Sequence, residues 1–267
     1  MNLTLYLLLA CLSGVNENVS LLETAERIVA VKNGGYFPVL IKLIGTNFTF
    51  AQAEASGKDL RFVDSNGKLL SYEIESWSGT EAWIWVKLPT VYADATTTFR
   101  MYHGNTDETA VGQNPTGVWD TNYKTVQHLE ETSGIIYDST IYDHDSTSAT
   151  FDGTGTQNAT GQIGGADYFD GTNDTFTMTL DSSISGAQNF TLSFWLNYQD
   201  VAARQWIMDF GTHADGQATH MLITDANEFQ FGIWGLTYPQ HTTTASSYLT
   251  NWAYVTMELS TSGTVVN

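Results

Sequence analysis

From Arg27 onward, apolar and polar residues alternate in short runs divided by glycine- and asparagine-rich breaks, the period of half-buried β-strands. RIVAV, the turn signal Asn33-Gly34-Gly35 and YFPVLIKL read as a hairpin. In its second strand Phe37, Val39, Ile41 and Leu43 share one face and Lys42 takes the other. DLRFVD and KLLSYEIESW flank the turn Ser65-Asn66-Gly67, and EAWIWVKL and TTTFRMYHG follow. These runs predict one β-sandwich over residues 23–108. Residues 109–123 are polar, hold Pro115 and read as a linker. From 124 to 267 the pattern resumes with longer polar breaks: VQHLEE, ADYFDG, FTMTL, FTLSFWLNY, QWIMDFG, HMLITD, EFQFGIWG and WAYVTMEL. The expectation is an all-β chain of two sandwich domains. The second stops at Asn267, just after the turn signal Ser262-Gly263, and reads as incomplete at its C-terminus.

Several of these segments carry family resemblances. FPVLIKL, GKDLRFVDSNGKLLSYEIESW, AWIWVKLP and TTTFRMYHGN resemble the bacterial and archaeal module called domain of unknown function 2341. HLEETSG, DSTIYDHDSTSATF, GQIGGADYFDGTNDTFTM, FTLSFWL and NWAYVTMEL resemble laminin-G-like, concanavalin A-like jelly rolls. That family usually adds a strand with a V-N-G turn, which this sequence lacks. The resemblance implies an extracytoplasmic protein that binds glycan or adheres, and it fixes no ligand.

Charge narrows the partners. Ten Lys and Arg against 29 Asp and Glu give a net charge of -19, which repels phosphate backbones and argues against nucleic acid. The lone Cys11 allows no internal disulfide. Within residues 1–22, Leu8-Leu9-Ala10-Cys11 resembles the lipobox of bacterial lipoproteins, yet no Lys or Arg precedes Arg27 as a secretory signal would require. A lipid anchor at Cys11, another export signal and a truncated or buried segment all remain open. The expected location is extracellular or at the cell surface.

Strand parity singles out aromatic residues on polar faces. Phe190, Leu192, Phe194 and Leu196 form one face of their strand and leave Trp195 with Thr191 and Ser193. Trp234 falls with Gln230 and Gly232, and Trp252 and Tyr254 share phase with Thr256 and Glu258. Rings beside hydrogen-bonding groups suit sugars, so Trp195, Trp234, Trp252 and Tyr254 are the candidate ligand contacts. The alternative is that they pack under a loop as a second layer. Glu131, Asp138, Asp143, Asp145, Asp170 and Asp174 are candidate calcium ligands, although loop carboxylates more often set turns.

No catalytic residue is assigned. The E-x-D-x-x-E strand of one glycoside hydrolase family, H-E-x-x-H and G-x-S-x-G are all absent. Glu73 and Glu75 read as a solvated strand face. The six histidines, His103, His128, His144, His213, His220 and His241, read as isolated surface or core residues. The leading expectation is a non-catalytic binding or adhesive protein. The alternatives are an envelope, filament or particle protein that joins its copies by strand addition, and a glycoside hydrolase or its accessory module.

Overall fold

The computed structural model describes residues 17–20, 36–89, 91, 97–105, 107–180, 190–198, 204–211, 218–226, 228–233, 240–244, 251–260 and 263–266. Cys11, the RIVAV strand and the Asn33-Gly34-Gly35 turn lie outside them. The described chain is nearly all-β, as its pattern predicts. It divides into two compact units, 3–179 and 180–267, so the division falls well beyond the segment 109–123.

The first unit is built on two antiparallel sheets. One runs β2-β6-β5, from β2 (Phe37–Ile44), β5 (Tyr72–Trp77) and β6 (Glu81–Leu88). The other runs β1-β7-β3-β4, from β1 (Glu17–Ser20), β3 (Arg61–Asp64), β4 (Leu69–Leu70) and β7 (Thr98–Tyr102). Alternation sends Val39, Ile41 and Leu43 of β2 and Ala82, Ile84, Val86 and Leu88 of β6 into one core. Phe62, Leu70, Phe99 and Met101 of the other sheet meet them there.

The opposite face of β2-β6-β5 is buried too, and this departs from the expected polar exterior. Leu40, Trp83 and Trp85 form a second cluster with Val118 and Trp119, and Tyr123, Val126 and Ile163 pack against it. The covering chain enters through the short helix α1 (Pro115–Val118), with Pro115 at its start, where its missing N–H costs nothing. Just before it, the Gln113 side chain accepts a hydrogen bond from Ile74 N at 2.9 Å, and Asn114 N donates to Tyr72 O at 2.8 Å. The segment 109–123 therefore does not read out as a free linker. Its Gln113 and Asn114 satisfy the edge of β5, and its Val118 and Trp119 are buried while Val111 stays exposed.

VQHLEE likewise forms no strand; it is an irregular segment laid along this second core. Past it come two small sheets. Strand β8 (Ser146–Thr150) pairs with β11 (Thr175–Met178), and β9 (Thr156–Thr160) pairs with β10 (Gly165–Tyr168).

The second unit also has two antiparallel sheets. One runs β12-β17-β18, from β12 (Phe190–Leu196), β17 (Ala253–Ser260) and β18 (Gly263–Val266). The other runs β13-β14-β15-β16, from β13 (Gln205–Gly211), β14 (Ala218–Ile223), β15 (Glu228–Ile233) and β16 (Gln240–Thr244). Phe190, Leu192, Phe194 and Leu196 of β12 pack with Val255, Met221, Phe231, Ile207 and Met208, so residues of both sheets share one core. The predicted parity holds for β12 and, in β17, for Val255 in the core and Tyr254 opposite it; the facing predicted for Met257, Glu258 and Leu259 lies outside the described side chains.

The central position of β6 makes a direct test. Ile84 is fully buried, so Ile84→Ala is expected to cost about 2–5 kcal/mol by denaturant unfolding, whereas Thr98→Ala at an exposed strand position stays within about 0.5 kcal/mol.

Candidate functional site

The first unit holds a buried charge cluster on the second face of β2-β6-β5. Its geometry begins with a β-bulge. Glu73 pairs with Trp85 and Ile74 with Ile84, but the register then shifts so that Ser76 pairs with Trp83, leaving Glu75 as the extra residue. The bulge sets Glu73 and Glu75 beside the tryptophans instead of in solvent. Both carboxylates are only 5% exposed, which overturns their reading as a solvated face.

Each carboxylate is held from several sides. Trp119 Nε1 donates to Glu73 Oε2 at 2.7 Å, and Ser139 Oγ donates to Glu73 Oε1. Trp85 Nε1 donates to Glu75 Oε2 at 2.5 Å. His128 lies between them, with Nε2 3.2 Å from Glu73 Oε2 and Nδ1 3.3 Å from Glu75 Oε2. The contact to Glu73 is an ion-pair distance without hydrogen-bond alignment. A neutral imidazole would turn a bare nitrogen lone pair toward one of the two carboxylates, so this setting calls for the doubly protonated ring.

The electrostatics agree. Burial works against charge on His128, but the Glu75 and Glu73 carboxylates outweigh it and hold the imidazole well above its ordinary value. Burial likewise pushes the Glu73 carboxyl up, while His128, Ser139 and Trp119 together hold it below the usual range. Glu73 therefore contributes stability above its ordinary value that is lost as pH falls. His128 contributes stability that is fully present below its ordinary value and is lost as pH rises through its raised folded-state value.

Two further acids sit nearby. Burial pushes Glu130 up to about 7; His128 opposes this, and Glu75, Glu131 and Glu73 add to it. Burial also raises Asp167 to about 6, against a backbone hydrogen bond from Asn158 and with help from Glu131. Between His128 and Glu130, Leu129 has a φ of 57°, a left-handed conformation unusual for a branched side chain. This kink separates His128, which enters the cluster, from Glu130, which lines a pocket of about 490 Å³. Gly165 lets β10 come this close: a Cβ there would lie 2.9 Å from Leu129 O and 3.0 Å from the Glu130 Cα.

With that geometry in place, comparison with known proteins adds one relationship. Residues 56–183 match the family described as Domain of unknown function (DUF2341). The DUF2341 match spans β3 to β7, the covering segment and the two small sheets up to β11, so it includes every member of the charge cluster. It reaches well past the first sandwich, where the resemblance in the sequence had ended. No curated protein and no solved structure matches the chain.

The residues singled out in the sequence lie elsewhere. Trp195 and Tyr254 are directly opposite in the β12–β17 register, their ring centroids 5.3 Å apart. Both are half-buried, as are Thr191, Ser193 and Thr256 on the same face, and Trp252 just before β17 is half-buried as well. Trp234 lies outside the described residues.

The candidate calcium ligands fall in two separate loop regions, where their carboxylates accept hydrogen bonds that set turns and tie loops together. In the first, Asp138 accepts hydrogen bonds from Val126 N, Thr140 N, His144 N and Thr140 Oγ1 at 2.7–3.0 Å. Asp145 accepts from Asp138 N, Glu131 accepts from Tyr137 N, and Asp143 has a left-handed φ of 56°. In the second, Asp170 accepts from Thr154 N and Thr172 N, which hold its carboxyl below the usual range. Asp174 accepts from Asp152 N and Asp170 N. Among the described residues no group of three or more His, Cys, Asp or Glu is arranged to hold a metal ion.

Sequence reasoning missed Glu73, Glu75, His128, Trp85 and Trp119 as a set. The available signal was β6 itself, whose nominally polar face carries Trp83 and Trp85 and so had to be covered.

Removing His128 leaves two buried carboxylates facing each other. His128→Leu is therefore expected to lower stability by about 3–5 kcal/mol at pH 7, and adding Glu73→Gln and Glu75→Gln to that variant is expected to restore at least part of the loss. Denaturant unfolding of the set would reveal this coupling, and strictly additive losses would contradict it.

Proposed function

We propose that the protein is a secreted or cell-surface, non-catalytic module that binds glycan or another extracellular matrix component. Its second unit supplies the binding face as a laminin-G-like, concanavalin A-like jelly roll. The observation that carries this reading is the Trp195–Tyr254 pair, two rings side by side on the strand face opposite the apolar core. The rings share that face with the hydroxyl groups of Thr191, Ser193 and Thr256, the mixture that lets a sugar stack its C–H face and still hydrogen-bond. The family resemblance of the sequence points the same way. A net charge of -19 favours neutral or cationic glycans over sulfated ones.

A structural or assembly role is the second reading. It is favoured by Trp206, 46% exposed on β13, which is an edge of its sheet among the described residues and so offers a place for strand addition.

Glycan-array binding followed by titration of the best ligand separates the two. Trp195→Ala and Tyr254→Ala are each expected to weaken binding about three- to tenfold, the contribution of one stacked ring. No binding by the wild type to neutral, acidic or sulfated glycans would overturn the proposal. Concentration-dependent oligomers by light scattering, abolished by Trp206→Ser, would establish the second reading in its place.

A further inference from the structure

We propose that the pocket on the β5 side of the first unit is a separate binding site, and that it takes the protonated amine of an amino sugar. The site is lined by Glu75, Ser76, Trp77 and Ser78 of β5 and the turn after it, by Glu81, and by Glu130, Asn158, Gly164 and Gly165 from the covering chain. At about 490 Å³ it lies in the range of small-ligand clefts and would seat one or two sugar rings.

Glu75 is the group that calls for an amine. This side chain is more than nine-tenths buried, and its Oε2 is taken by Trp85 and His128. Among the described residues its Oε1 accepts no hydrogen bond, although a buried carboxylate ordinarily has every oxygen satisfied. The oxygen is not sealed in the interior either, so the pocket is what it faces. The Glu130 carboxyl, on the facing segment, also takes no hydrogen bond among the described residues. Its rise to about 7 reflects burial and the neighbouring Glu75, Glu131 and Glu73 charges, with only His128 opposing.

Among the described residues no Lys or Arg lines the pocket. Lys42 pairs with Glu81 at 2.7 Å, while its ammonium lies over the Trp83 ring. The wall thus has two acceptors without donors and an excess of negative charge that one imidazolium does not balance. An ammonium group supplies three donors and one positive charge, and its arrival would favour ionised Glu130.

The remaining walls favour a sugar as the carrier of the amine. Trp77 has its ring edge-on to Phe48 and Phe50 on the core side and borders the pocket on the other. The Ser76 hydroxyl and the Asn158 amide offer both donors and acceptors to ring hydroxyls, whereas the Ser78 hydroxyl is engaged with Glu81 N and Glu81 O in its own turn. A flexible alkyl amine would leave those groups unmatched.

This inference does not depend on the aromatic face of the second unit. It is read on Glu130→Gln and the other on Trp195→Ala, so either can fail alone. The experiment is calorimetric titration of the full chain at pH 7.5 with the glucosamine trimer, the N-acetylglucosamine trimer, the glucose trimer and Nα-acetyl-lysine methylamide. The glucosamine trimer is expected to bind at least about tenfold more tightly than the other three, the size of a charge-assisted hydrogen bond. Glu130→Gln, a carboxyl with no hydrogen bond to lose, is expected to weaken that binding about tenfold. Its melting temperature at pH 8 is expected to equal or exceed the wild type's, because it removes a charge that the fold disfavours. Equal binding of the acetylated or glucose trimers overturns the amine assignment, and equal binding of the lysine derivative overturns the sugar assignment. Absence of all binding, or unchanged binding by a folded Glu130→Gln, overturns the site.

Discussion

One imidazolium between two buried carboxylates is the interaction on which the first unit turns. The sheet β2-β6-β5 is apolar on both faces because β6 alternates Ala, Ile, Val and Leu with Trp83 and Trp85. A sheet of that kind cannot end at its sandwich; its second face must be covered. Residues 113–131 provide the cover, and His128 is where apolar packing and charge pairing meet. Without the imidazolium, two carboxylates would share a dry site; without the carboxylates, a buried cation would stand alone. Each half makes the other tolerable, and the pairing fixes where the covering chain lies.

That constraint explains why the first compact unit extends to residue 179, well past the sandwich itself. The bulge at Glu75, the left-handed turn at Leu129 and the close approach of Gly165 each depart from regular geometry. All three occur where the covering chain meets β5. Other irregularities lie elsewhere, as at Asp143 and in the β8–β11 pair, but these three meet beside a pocket. The acidic excess left there by a single imidazolium gives the pocket its chemical character.

Much of the fold was legible in the sequence. Period-two alternation identified the faces of β2, β12 and the described part of β17, because a strand reports its own facing directly. Trp195 and Tyr254 were also legible, since their parity set them opposite the core. The charge cluster was not. Glu73 and Glu75 are two apart, which ordinarily means one polar face, and nothing local records that a chain fifty residues later will cover it. His128 gave no signal for the same reason: its partners are distant in sequence. The segment 109–123 misled because polar composition and a proline describe a free linker and an edge-satisfying cover equally well.

His128 is charged because of where it lies. The most direct measurement is a pH titration of its side-chain nitrogens by ¹⁵N NMR in the full chain. Both ring nitrogens are expected to remain protonated at pH 7.5, with the transition well above the ordinary histidine value of about 6.5. A ring that titrates at or below that value, or a single neutral tautomer at pH 7.5, would contradict the account.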